Sequence, residues 1–322
     1  MNFVTLDDLD RRIVGALQID GRATWRHIAD VLGESFSTVT RRGNELLASK
    51  TVRISTLVTS QPTHLLYIDC DPSVNEAVAR LIAASPSTIF VYAMGGTPSL
   101  VAEIAMNLGD LDVFVHNEIA TISGIRSAAV APILRYFRTV AHWRPSILTP
   151  QQVNVLDQRH AADEEAVEPL DVSSLDCEDQ AIVAALAADG RASVKSIAAD
   201  AGLSETTARR RIDSLFAKGV VHNRAVVEPS VLGLPIEAIL WITVNPGDVV
   251  GVGHALATAP GVRYAAFTMG TSQLVVDVTM QSLDELSGFL TASSWVHSVQ
   301  TVRAEILVRA YKRSLLPTHF TT

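Results

Sequence analysis

The chain repeats itself, and the repeat limits what it can fold into. Residues 10–52 align without a gap on residues 179–221 at a constant offset of 169, with 19 of 43 positions identical. Shared landmarks are Asp20-Gly21-Arg22-Ala23 with Asp189-Gly190-Arg191-Ala192, Gly33-x-Ser35 with Gly202-x-Ser204, and Arg41-Arg42 with Arg210-Arg211. A unit used twice folds as two similar domains rather than one large core. The stretches behind each copy also match in pattern. Residues 65–137 read as strand, helix, strand, glycine turn, strand, helix, strand, and residues 236–311 repeat that order. Two βαββαβ units are expected, each an antiparallel sheet with its helices on one face. The opposite face of each sheet also carries apolar side chains, and the other copy's sheet is its simplest cover.

Each repeated block reads as three helices. In the second copy Ile182, Val183 and Leu186 form one face of a first helix, and Ser193 caps a second that ends near Ala201. Gly202-Leu203 make a tight turn, and Ser204 caps a third helix through Ala217. Two short helices joined by a glycine-containing turn form a helix-turn-helix, whose last helix enters the DNA major groove with its N-terminal side chains reaching base edges. Ala208, Ile212 and Leu215 set the buried stripe of that helix, and 100° per residue then turns Thr206 and Arg210 toward DNA. Arg209 lies on the flank, in reach of phosphate, and Arg211 near the stripe, where it pairs with an acid. The DNA-binding set is Ser204, Thr206, Thr207, Arg209 and Arg210, with Ser35, Ser37, Thr38 and Arg41 in the first copy. That first copy is degenerate by pattern: Glu34 replaces Leu203, Gly43 replaces the core Ile212, and Thr40 replaces Arg209. The formal net charge of -8 does not oppose DNA binding, because phosphate contacts depend on a local basic face.

The expected class is therefore α+β, two winged helix-turn-helix domains alternating with two ferredoxin-like sheet domains. The boundaries are 1–60 for the first helix-turn-helix, 61–138 for the first sheet domain, 139–173 for a linker, 174–228 and 229–322 for the second pair. The linker is read from Pro145, Pro150 and the acidic run that begins at Asp163. Hydrophobic residues make up 48% of the chain, enough to fill these cores. No apolar run reaches 18 residues, and the N-terminus carries acids where a secretory signal needs a basic start, so the expectation is a cytoplasmic protein with no membrane partner. Cys70 and Cys177 stand far apart with no metal-ligand spacing and read as small buried apolar residues. No cofactor is implied.

The segments Asp179-x-x-Ile182, Asp-Gly-Arg-Ala, Gly202-Leu203-Ser204, Arg210-Arg211-Ile212 and Leu215-x-x-x-Gly219-Val220-Val221, each coupled to the following sheet order, resemble the Lrp/AsnC (feast/famine) transcription regulators. The resemblance covers nearly the whole chain twice, as a tandem fusion. It implies double-stranded DNA as partner, a small-molecule effector such as an amino acid or related metabolite, and a homo-oligomer, here a dimer or tetramer of chains. The effector position implied is the turn between the second and third strands. That turn is Gly95, Gly96, Thr97 and Ser99 in the first copy, and Gly270, Thr271, Ser272 and Gln273 in the second. Ser99 and Gln273 stand where the family pattern often has Asp. No GxSxG, Walker loop or HExxH is present. The enzyme alternative is a siroheme decarboxylase, which is similar in architecture. Its Arg-Arg-Ile-Gly-type segment corresponds to Val52-Arg53-Ile54-Ser55 and Val221-His222-Asn223-Arg224, and His64, His116, His254 and His297 do not match between copies. A sequence-specific regulator without enzymatic activity is the expectation.

Overall fold

The computed structural model describes residues 6–58, 61–157 and 175–318. The first pass through the repeat gives α1 (Asp8–Ile19), α2 (Trp25–Leu32), α3 (Phe36–Ala48) and β1 (Arg53–Val58). It continues with β2 (Thr63–Cys70), α4 (Asn75–Ala84), β3 (Thr88–Met94), β4 (Leu100–Ala105), α5 (Leu108–Val113) and β5 (Ile125–Arg138). A π-helical segment, Phe114–Ile119, extends α5. After α6 (Pro150–Leu156), the second pass gives α7 (Cys177–Ala188), α8 (Val194–Asp200), α9 (Glu205–Ala217) and β6 (Val221–Val226). It ends with β7 (Ile236–Thr243), α10 (Val249–Thr258), β8 (Val262–Thr268), β9 (Leu274–Met280), α11 (Leu283–Ala292), β10 (Thr301–Arg313) and β11 (Leu316–Pro317). The chain divides by contacts into a helical unit, residues 6–58, 144–157 and 175–232, and a sheet unit, residues 61–143 and 233–318. Like domains thus join like, across the sequence.

In the helical unit each copy ends in a single wing strand, and the two strands, β1 and β6, pair antiparallel with each other from Arg53↔Val226 to Val58↔Val221. The Asp-Gly-Arg-Ala landmark explains itself here. Asp20 and Asp189 each accept a hydrogen bond from the amide two residues on, at 2.9 Å, which tightens the turn. The arginine of each turn then crosses to the other copy. Arg22 donates to the Gly190 and Ala192 carbonyls, both at 2.8 Å, and Arg191 to those of Gly21 and Ala23 at 2.7 and 3.2 Å. Burial lowers the affinity of both guanidinium groups for their protons.

The stretch expected as a linker is structured at its start. Thr149 accepts from the Gln152 amide while Gln152 reaches back to the Thr149 amide, a capping box, and Pro150 occupies the first helical position. Leu156 is buried, and Gln152 donates to the Val31 carbonyl of α2 at 3.2 Å. Residues 150–156 therefore pack on the first helix-turn-helix, and Pro150 starts an element instead of breaking one. Trp143 is buried in the sheet unit under the Arg263 guanidinium, 4.9 Å away. The acidic run from Asp163 lies outside the described residues. Cys70 is buried as expected, but Cys177 is exposed, because it opens α7 on the solvent side.

In the sheet unit positions 174 apart make the same pairs, as Leu65↔Glu103 and Ile239↔Asp277 do. The two βαββαβ sheets are joined by their long last strands. β5 pairs with β2 up to Pro132 and with β8 from Ile133, and β10 pairs with β7 up to Ile306 and with β3 from Leu307. Register shifts accompany both crossings, where a strand must bend between sheets. The strands close into a ring. Inside it Leu65, Tyr92 and Val101 of the first sheet pack with Ile239, Trp241 and Val275 of the second. Each copy thus covers the other's free face. Past each crossing, a cation caps a helix of the other copy. Arg138 donates to the Ala257 and Ala259 carbonyls at the end of α10, and Lys312 to the Ser85 carbonyl at the end of α4. Neither helix has a basic residue in its own last turn, so these side chains satisfy its orphan carbonyls.

Candidate functional site

The DNA-reading helices are α3 and α9. Gly33 and Gly202, with φ of 69° and 67°, turn the chain through the left-handed region that L side chains avoid. Ser35 and Ser204 then accept from the amides of Thr38 and Thr207, both at 3.2 Å, as N-caps. Thr38 and Thr207 are half-buried, and the other seven members of the sequence-derived set, Ser35, Ser37, Arg41, Ser204, Thr206, Arg209 and Arg210, are exposed.

The two helices differ in what they offer. Arg209 and Arg210 are exposed and make no hydrogen bond or ion pair among the described residues. Arg41, at the position of Arg210, is held by both carboxylate oxygens of Glu45 at 2.9 Å. Arg42 and Arg211 do not face outward: Arg42 bonds Asp7 and Asp10, and Arg211 bonds Asp176, Glu178 and Asp179. These pairs tie the reading helix to the start of the first helix in each copy. The Arg42 pair holds the Asp7 carboxyl below the usual range, and the Asp179 amide together with Arg211 does the same for Asp176.

The first copy is not eroded. A Cβ on Gly43 would lie 2.5 Å from the Trp25 ring, so Trp25 fills the space that Ile212 fills in the second copy, where Val194 replaces the tryptophan. Glu34, in the place of Leu203, bonds Arg12 at 3.1 Å, in the place of Ala181. Two of the three substitutions that read as losses, Gly43 and Glu34, are halves of exchanged pairs; Thr40 still stands in place of Arg209.

The turns singled out as effector positions lie at the end of each sheet. Ser99 accepts from the Cys70 amide at 3.1 Å and donates to the Ile68 carbonyl at 3.2 Å; Gln273 accepts from the Val244 amide at 3.0 Å. Those side chains hold the end of the first strand; an Asp oxygen could take the accepting part of that role but not the Ser99 donation to the Ile68 carbonyl. A cleft of about 610 Å³ opens beside the first turn, lined by Gly95, Gly96, Asp69, Glu76, Arg126 and Arg309 among others. Arg126 bonds Asp69 and Asp71, so both signs of charge meet there. The counterparts of Asp69, Glu76 and Arg126 in the second copy, Thr243, Val250 and Gln300, are uncharged, whereas that of Arg309 is Arg135. This charged surround was missed in the sequence, because strand β2, helix α4 and strand β5 each give one piece of it. A smaller cavity, of about 280 Å³, lies beside the second turn.

Comparison with known proteins finds the AsnC-type helix-turn-helix domain at residues 6–47 and 175–215. The Lrp/AsnC ligand binding domain matches residues 237–317. The HTH-type transcriptional regulator FL11 of Pyrococcus furiosus is 30% identical over 141 residues, which span 44% of this chain and 93% of that regulator. Its counterpart in Pyrococcus horikoshii is 28% identical with the same coverage. Over the whole chain the fold is similar to the crystal structure of the siroheme decarboxylase NirDL, with a TM-score of 0.61 at 15% identity, covering 97% of this chain and 94% of that one.

Proposed function

The chain belongs to the Lrp/AsnC family of DNA-binding transcription regulators, and from that premise we propose that its two heads read an unequal operator under control of a small molecule. The observation that carries the reading is the contrast between α9 and α3: the second helix presents Arg209 and Arg210 without protein partners among the described residues, whereas Arg41 is paired with Glu45. Ser204, Thr206 and Thr207 shape the N-terminal end of α9 for the groove, with Arg210 for a base or phosphate and Arg209 for a phosphate. Ser35, Ser37 and Thr38 give α3 a polar surface with weaker hold.

The effector position is the cleft beside Gly95 and Gly96, where Asp69, Glu76, Arg126 and Arg309 offer partners to a small ligand bearing both charges. A regulator, rather than an enzyme, is supported by relatives near 30% identity that carry regulator names. The likeness to a decarboxylase is one of fold. Assembly of chains into dimers or tetramers is what membership of the family implies.

Binding of the purified chain to genomic fragments, by mobility shift, tests this. Arg210→Ala should weaken specific binding by roughly 1–3 kcal/mol if it reads a base, and Arg41→Ala by less. Equal losses remove the asymmetry. Loss of neither removes the assigned DNA face, and a change in absorbance on adding siroheme, with turnover, would return the enzyme reading.

A further inference from the structure

The two effector turns sit beside cavities of unlike chemistry, and the smaller one has features of its own. Its walls are Tyr67, Trp241, Ala131, Met269 and Pro98, apolar or aromatic, with Arg303 at one side. No carboxylate lines it. The Arg303 guanidinium lies 4.2 Å over the Trp241 ring, which fixes its plane and leaves its N–H edge unused: Arg303 has no hydrogen-bond or ion-pair partner among the described residues. The amides and hydroxyls of Thr271 and Ser272 likewise donate to no protein acceptor among the described residues. The lining therefore includes a set of unused donors with a positive charge. Beside it lie the rings of Trp241 and Tyr67, and burial pushes the Tyr67 phenol up to about 12, so it stays neutral.

The counterpart position in the other half is filled. Glu305 stands where Ala131 stands here, and its carboxylate lies against Gly96, so close that a Cβ there would be 2.2 Å from an oxygen. Ala129 stands in place of Arg303. One half closes the space with an acid, and the other leaves it open and supplies a cation. A volume of about 280 Å³ falls just below the usual range of small-molecule pockets, about 300–1,000 Å³, which suits one ring and excludes a tetrapyrrole.

We propose that the cavity beside Gly270 binds a small aromatic carboxylate, its ring against Trp241 and Tyr67 and its carboxylate on Arg303 and the Thr271-Ser272 turn. It is a second site, distinct from the charged cleft beside Gly95, and its link to DNA binding rests on the sensing role proposed for the sheet unit. A free α-ammonium group has no acid to meet in this cavity, so an aromatic amino acid is a poorer ligand than the acid without the amine.

Calorimetric titration of the full chain with phenylacetate and with phenylalanine tests the proposal. Phenylacetate should bind saturably and at least tenfold more tightly than phenylalanine. Arg303→Gln, at an exposed position, should weaken phenylacetate at least tenfold, while Arg135→Gln, another exposed ring-stacked arginine, leaves it unchanged. Ala131→Glu, which copies the closed half, should abolish binding. No saturable binding, equal binding by the Arg303 variant, or preference for phenylalanine would each overturn the site. Binding lost with Arg303→Gln but without effect on operator affinity supports the site and overturns only its link to DNA.

Discussion

Trp25 and Gly43 carry a lesson about reading residues one at a time. Glycine in a helix costs about 1 kcal/mol against alanine, and in place of Ile212 it reads as an emptied core. The structure puts the indole into the gap, with Nε1 donating to Asn44 at 3.2 Å and Arg191 stacked 4.6 Å from the ring. Gly43→Ile alone should cost about 1–3 kcal/mol by overpacking. Combined with Trp25→Val, which recreates the second copy's pair, it should recover most of that loss in urea unfolding. Additive losses would mean that the two residues are not a matched pair.

Glu103 is the second residue worth a measurement. It is buried in the ring of strands, and burial raises its carboxyl to about 7 even though the Tyr136 hydroxyl donates to it at 2.8 Å. Between pH 4.5 and 7 the folded chain keeps this proton and the unfolded chain releases it. Stability from this group therefore falls as pH rises across that window, by on the order of 3 kcal/mol, and levels off above it. Glu103→Gln should flatten that slope and raise the melting temperature most at pH 8. A slope unchanged in the variant would exclude Glu103 as its source.

Among the elements, α6 and the crossing strands divide what sequence could reveal from what it could not. Helix starts at Ser193 and Ser204 were legible because capping chemistry is local. The order of strands was legible because alternation and turns recur at the same places in both copies. The capping box at Thr149–Gln152 was equally local, yet the neighbouring prolines masked it. The reach of Arg22 and Arg191 to the other copy, or of Arg138 and Lys312 to the other sheet's helices, has no local signal, since each partner is a backbone carbonyl far away in sequence. If α6 is part of the first head, Leu156→Ala should cost about 2–5 kcal/mol of local stability. Hydrogen exchange should then speed up in α1 and α2 while α7–α9 keep their protection. Unchanged exchange in α1 and α2 would separate α6 from the first head, and faster exchange in all of them would make α6 common to both heads.

For the whole molecule, the two heads form one unit through β1 and β6 and the crossed arginines. A protein's symmetry is mirrored in its half-sites. The heads here share an offset but not a surface, with Arg209 and Arg210 on one and Thr40 and an occupied Arg41 on the other. Sequences selected from random DNA by the intact chain should therefore contain one strongly specified half-site and one weakly specified half-site. A perfect palindrome would indicate that two chains present the same head twice.

The closed ring of strands has a consequence for how such a protein changes over generations. In a regulator built from two identical subunits, every mutation is inherited by both faces of the pair at once, so a change that suits one half-site is imposed on the other. Here the partner sheet is encoded further along the same chain, and a single nucleotide change alters one side only. Arg303 could arise opposite Trp241 while Ala129 stayed, and Trp25 could grow over Gly43 while Val194 stayed with Ile212. Fusion has made the two halves separately editable while their interlocked strands keep them together.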